Sequence, residues 1–304
     1  MQRRSFLQTA VFGSAGILAV QTLTAQIQQI VSKEQTKTKQ LHIAVNQYAA
    51  NNFYQRDGKN FLEQLNEIKS SGVDGLEPTV DNAKNLENIG KMLNDHGLEF
   101  RSVYVGGGNL HESEIAAKEI VRIRHIAEKA KEFDSKIIIF NPAAKHGKND
   151  AELILQAENV NKLGNELASF GIKLAFHYHT TELEFAAREF HHLLCNTDPK
   201  NFSLCLEQHW SYRGSGNSQV ALFDHLKLYG NRIVAVHLRQ SVNNVWSETF
   251  GDGDIDNQKL AAQLKELNTP VHFVLEQAAE KNTPKTLTAD MVLRQSCEYI
   301  RCVF

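Results

Sequence analysis

From residue 42 onward, short apolar runs alternate with longer segments whose apolar residues recur three and four apart. The runs are HIAVNQY (42–48), VDGLEP (73–78), EFRSVYV (99–105), KIIIFNP (136–142), KLAFHYH (173–179), FSLCLEQHW (202–210), RIVAVHLRQ (232–240) and VHFVLEQ (271–277). Each is short and rich in branched or aromatic residues, as strands are. The segments between them, such as FLEQLNEIKSSG (61–72), NLENIGKMLNDHG (85–97) and VNKLGNELASFG (160–171), have the helical period. Gly72, Gly97, Gly171 and Gly230 stand where helix stops are expected. A last helix is expected over roughly Ala289 to Cys302. Strands alternating with helices imply a parallel sheet with helical crossovers. Eight such units predict an α/β fold, a single (β/α)8 TIM barrel over 41–304. A doubly wound sheet would bring a Gly-rich phosphate loop after its first strand, and NQYAANNFYQRDG has no GxGxxG.

The first 40 residues break this rhythm. Arg3 and Arg4 precede Ser5, Phe6 and Leu7, and an apolar run from Ala10 to Val20 follows. A charged start and a short apolar core predict a signal peptide over 1–25, and the paired arginines resemble a twin-arginine export signal. Residues 26–40 read as a linker, and the expected location is the periplasm. The formal net charge of −2 has no basic stripe with it, which argues against a nucleic-acid partner. Beyond residue 20 no apolar stretch is long enough for a membrane helix, so no membrane partner is expected after export. Cys195, Cys205, Cys297 and Cys302 form no CxxC pair or zinc-ligand spacing, and free thiols are expected.

In a barrel of this kind the C-terminal strand ends face the active site. Those ends carry Asn46, Gln47, Glu77, Asn141, His177, His179, Glu207, His209, His237, Arg239 and Glu276, while strand interiors stay apolar. Scattered surface charge would not choose the same end of successive strands. Buried carboxylates on neighbouring strands are costly without a cation, so a divalent metal is expected. Glu182, Glu207, Glu276 and His237 form a carboxylate–imidazole set that suits Mn²⁺, Co²⁺, Mg²⁺ or Zn²⁺. Ion pairing with Arg213 or Arg239 is the structural alternative. HWSYRGSG (209–216) offers Trp210 and Tyr212 for sugar stacking and Arg213 as a donor, or a packed aromatic loop. Glu77 either reaches substrate or caps a helix. His191, His192 and His225 read as surface or satisfied helix residues. GDGDID (251–256) resembles the start of a calcium loop, but Asn257 and Gln263 replace the required Gly and Glu, so a capping or substrate-loop role is expected.

HYHTTE (177–182), LEQHW (206–210), RIVAVHL (232–238), GDGDID and VLEQ (274–277) together, in this order, resemble the xylose-isomerase-like TIM barrels, the sugar phosphate isomerases and epimerases, over about residues 41 to 300. The resemblance implies one divalent metal held by Glu182, Glu207, His237 and Glu276, with Glu184 as the alternative to Glu182. The chain departs from the family in having Glu207 where Asp is usual, Trp210 where some members have His, and Arg239 where many have Lys. The implied activity is a metal-dependent sugar isomerase or epimerase on a keto- or aldo-sugar, non-phosphorylated because of the export signal. Glu182 and Glu276 would transfer the proton through a cis-enediolate. Glu77, His177, His179, His209, Trp210, Arg213 and Arg239 would bind substrate. The same enolate could serve a lyase or dehydratase acting on a 3-keto-sugar. A secreted sugar-binding protein on a decayed barrel is the non-enzymatic reading, an abasic-site endonuclease is disfavoured by charge, and self-association stays open.

Overall fold

The computed structural model describes residues 41–267 and 270–304. The export signal and linker expected over 1–40 lie outside the described residues. Eight parallel strands form one sheet: β1 (Ile43–Asn46), β2 (Gly75–Glu77), β3 (Ser102–Gly108), β4 (Ile137–Pro142), β5 (Lys173–Phe176), β6 (Phe202–Glu207), β7 (Ile233–Leu238) and β10 (His272–Leu275). Their order is β2-β1-β10-β7-β6-β5-β4-β3. β2 and β3 meet only through the isolated bridges Gly75↔Glu99 and Thr79↔Tyr104. The result is the expected TIM barrel, nearly closed and ringed by helices.

Several helices start at side-chain caps. Asn60 and Asn149 make capping boxes with Glu63 and Glu152 at the starts of Phe61–Ser70 and Asp150–Ser169. Asp256, the last residue of GDGDID, caps Asn257–Glu266 through Lys259 N, as a capping role requires. Gly72, Gly97 and Gly171 take positive φ after their helices. Gly230 does not: it opens a 3-10 turn at φ −55°, and its Cβ would meet Leu267 Cδ2 at 2.6 Å, so packing selects glycine there. Ala289–Val303 matches the expected last helix.

Two helices were not anticipated. Gln47–Arg56 buries Ala49, Ala50, Phe53 and Tyr54, one helical face hidden in a polar segment. Gln208–Gly214 forms where the sequence reading runs the strand on to Trp210 and then a loop, and it buries Gln208, His209, Ser211 and Tyr212. After β7 comes a hairpin, β8 (Ser241–Val242) and β9 (Val245–Trp246).

The strands bury both faces, as parallel barrel strands do. Outward Phe176 stacks with Phe190 and Phe202 under the helices. Inward, Ile139, Ala175, Cys205 and Ala235 make one layer of the barrel core. Side chains repeat every two residues along a strand. The next inward layer is therefore Asn141, His177, Glu207 and His237. A one-residue irregularity in β6–β7 pairing, from Leu204↔Ile233 to Cys205↔Ala235, sets Glu207 opposite His237. Without it Val236 would stand there.

Candidate functional site

That layer brings the polar strand ends together. His177 Nδ1 lies 2.6 Å and His237 Nδ1 2.9 Å from the same oxygen, Glu207 Oε1. Glu276 Oε1 is 3.7 Å from His237 Nδ1. All are buried, yet neither histidine nitrogen has an aligned hydrogen-bond partner. Two unpartnered imidazole nitrogens converging on one carboxylate oxygen make a donor set that fits a divalent cation. Among the described residues the group whose ligand atoms all lie within 4.8 Å is His177, Cys205, Glu207 and His237.

The surroundings orient these donors. Glu77 is fully buried and caps no helix. Its carboxylate lies 3.2 Å from His237 Nε2 and accepts from Asn46 Nδ2 and Ser102 Oγ. A carboxylate on the far nitrogen fixes the imidazole tautomer and ring direction. Burial pushes the carboxyls of Glu77 and Glu207 up, but nearby imidazoles outweigh it and hold both below the usual range. Burial also opposes the charged form of His237, yet Cys205, Glu207 and Glu77 raise it well above the ordinary histidine value. Asn141 donates to His177 O, and Tyr104 donates to Asn141. Tyr178 OH accepts Glu207 N–H at 3.3 Å and hydrogen-bonds Ser211 Oγ.

The two glutamates expected to move protons sit in opposite environments. Glu276 pairs with Arg239 Nη2 at 2.9 Å, and Arg239 Nε donates to Glu276 O. Burial would raise its carboxyl, but Arg239 and His237 hold it well below the carboxylate range. Glu182, also buried, accepts from His179 N at 2.7 Å through one oxygen, while the other has no partner. Burial pushes its carboxyl up. Glu182 is thus outside the four-residue donor group. Glu184, the alternative, lies at the surface, 2.7 Å from His146 Nδ1.

Aromatic residues wall the rim. His179 Nε2 is 3.1 Å from His177 Nε2, and its ring meets Trp210 edge-on at 5.4 Å. Burial and neighbouring His177 lower its titration to about 4. Trp210 meets Trp246 at 5.7 Å, and the Arg239 guanidinium covers both rings. His209 is buried with both nitrogens unpartnered, and burial with Arg239 and Arg213 lowers it to about 2. Arg213 pairs with Glu280 rather than Glu207 or Glu276. Tyr212 is tied to Asn244 of the hairpin, so it packs rather than faces the site. Trp246 and Tyr104 join the site without having been singled out. The signal for Trp246 was Asn243-Asn244 between valines, a type I′ turn sequence.

Elsewhere, His225 is buried on Ser211 and His191 bonds Tyr229, so both are satisfied helix residues. All four cysteines are free. No helix of the described residues is long and apolar enough to cross a membrane.

Solved structures share this fold. A sugar phosphate isomerase/epimerase from Parabacteroides distasonis has 17% identity and a TM-score of 0.69, covering 88% of this chain and 95% of that one. A xylose isomerase-like TIM barrel protein from Mycobacterium smegmatis, in complex with magnesium, has 15% identity and a TM-score of 0.65, covering 86% and 96%. D-psicose 3-epimerase from Clostridium cellulolyticum H10, with D-tagatose, has 13% identity and a TM-score of 0.66, covering 86% and 99%. No curated protein matches the sequence. A family model described as xylose isomerase-like TIM barrel matches residues 65–301. The chain belongs to the xylose isomerase-like TIM barrel family.

Proposed function

We propose that the protein is a divalent-metal-dependent isomerase or epimerase of a non-phosphorylated keto- or aldo-sugar, exported to the periplasm. The observation that carries this reading is the convergence of His177 Nδ1, His237 Nδ1 and Glu207 Oε1 at the C-terminal end of the barrel. These residues would hold the ion, with Glu276 beside them. A bound divalent ion supplies Lewis-acid polarisation of a carbonyl and its neighbouring hydroxyl.

Glu276, kept ionised by Arg239, accepts the proton from the carbon beside the carbonyl. The electron pair moves to oxygen and leaves a cis-enediolate. Glu182, with its free buried oxygen, returns a proton. Return to the same carbon inverts it, and return to the adjacent one exchanges aldose and ketose. Trp210 and Trp246 stack on the sugar, and His179 and His209 meet its hydroxyls. Both rim arginines already hold carboxylates, which favours a neutral sugar over a phosphorylated one.

The test is incubation of metal-loaded protein with neutral keto- and aldo-sugars in D₂O. The expected product is a stereoisomer or constitutional isomer carrying deuterium at the carbon next to the carbonyl. An unsaturated product would turn the reading to a lyase. No metal in elemental analysis and no deuterium uptake would sink it in favour of a sugar-binding protein. Glu207→Ala should lose the metal.

A further inference from the structure

Beneath the three converging donors β6 presents a thiol. Cys205 stands two residues before Glu207, so it points inward one layer deeper. It is fully buried, and its Sγ lies 3.5 Å from Glu207 Oε1. Its hydrophobic neighbours in that layer are Ile139, Ala175 and Ala235. Above it, His177 Nδ1 and His237 Nδ1 are buried and unpartnered.

We propose that Cys205 Sγ is a protein donor of this centre, bound as thiolate from its floor, and that the centre therefore takes Zn²⁺, Co²⁺ or Fe²⁺ in preference to Mg²⁺ or Mn²⁺. The proposal rests on the metal-dependent reading above and adds to it the class of ion. Two arguments support it. The first is distance. A sulfur about 2.3 Å and an oxygen about 2.0–2.2 Å from one tetrahedral ion are about 3.5 Å apart, which matches Cys205 and Glu207. The second is composition. Two imidazoles, one carboxylate and one thiolate form a borderline-to-soft set, whereas magnesium favours oxygen donors throughout.

The thiol also lies on the side away from the rim. Glu276 and Arg239 stand two residues beyond Val274 and His237, a layer higher. A donor from below leaves the positions facing substrate open. Binding displaces the thiol proton to water, an acid–base exchange that needs no oxidant. The competing account is a packed thiol that donates a hydrogen bond to Glu207 Oε1.

Cobalt absorption separates the two. Co²⁺ is added to the purified metal-free protein, and thiolate-to-cobalt charge-transfer absorption is followed in the near ultraviolet. The expected result is a band saturating at one equivalent, kept in the Cys195→Ser/Cys297→Ser/Cys302→Ser variant and lost in Cys205→Ser and Cys205→Ala. Zn²⁺ affinity, read by chelator competition, should fall at least about tenfold in Cys205→Ser. Stoichiometric cobalt without the band in wild type overturns the thiolate and leaves the metal-dependent reading standing. A band that disappears in the triple variant, which retains Cys205, also overturns it. No cobalt bound by wild type at all overturns both.

Discussion

Glu276 and Arg239 are each tolerated inside the barrel because the other is there. Arg239 is 3% exposed, with its charge against Glu276 and the faces of two indoles. Glu276→Gln leaves that guanidinium without a counter-charge, and breaking a buried pair costs about 3–5 kcal/mol. A urea titration of the variant should show a loss of that size. Side-chain alternation explains which site residues could be read from sequence. Glu207, His237 and Glu276 end apolar strands in the inward phase, so their meeting was legible. His177 obeys the same phase, one layer above Ala175, yet it was expected to bind substrate. The structure places its nitrogen beside Glu207. Glu182 lies beyond β5 in a single 3-10 turn, Thr181–Leu183, too short for a period to predict direction.

At the level of elements, the hairpin after β7 depends on its turn. Asn243 and Asn244 have φ of 54° and 65°, a conformation β-branched residues avoid. Asn243→Val should cost about 1–2 kcal/mol of local stability and loosen Trp246, read as faster amide exchange across 241–246. Asn243→Gly should be near neutral. Glu248 governs a second junction. Its carboxylate accepts from Thr286 N, Thr286 Oγ1 and Leu287 N, and from Arg56 Nη1. Burial would raise its carboxyl, but the Leu287 and Thr286 bonds and Arg56 bring it below the ordinary value. The folded state therefore binds its proton less readily than the unfolded chain. The stabilisation is full above the unfolded value of about 4.3 and is lost as pH falls through the lower folded value. Glu248→Gln should lose about 2 kcal/mol at pH 7, and its melting temperature should fall less than that of wild type between pH 5 and pH 3. The Glu248–Thr286 contact is not visible in sequence, because the two residues are 38 positions apart.

For the whole molecule, the eightfold alternation was the most legible feature, since every βα unit repeats it. The helix after β1 and the helix after β6 escaped because their buried faces interrupt polar segments. The centre draws its donors from β6, β7 and the end of β5, so an ion there ties three strands together. At one hundred times its dissociation constant a bound ion adds about 2.7 kcal/mol. For a domain of this size that corresponds to a rise of about 5–10 °C in melting temperature. Calorimetry with and without Zn²⁺ should show the rise in wild type and not in Glu207→Ala.

The meeting of β2 and β3 gives the barrel a seam. Every other strand junction is a ladder of at least three paired residues. At the seam, the connecting bonds are those of Leu76 N to Glu99 O, Glu99 N to Asp74 O, Tyr104 N to Pro78 O and Val80 N to Tyr104 O. A hoop under thermal load parts at its thinnest weld. Hydrogen exchange of Leu76, Val80 and Tyr104 should therefore outpace that of the β6 and β7 amides by at least about tenfold. Glu77, which steadies His237, stands on the strand beside that weld. Each opening there loosens the mount of His237 while the far wall of the barrel stays shut.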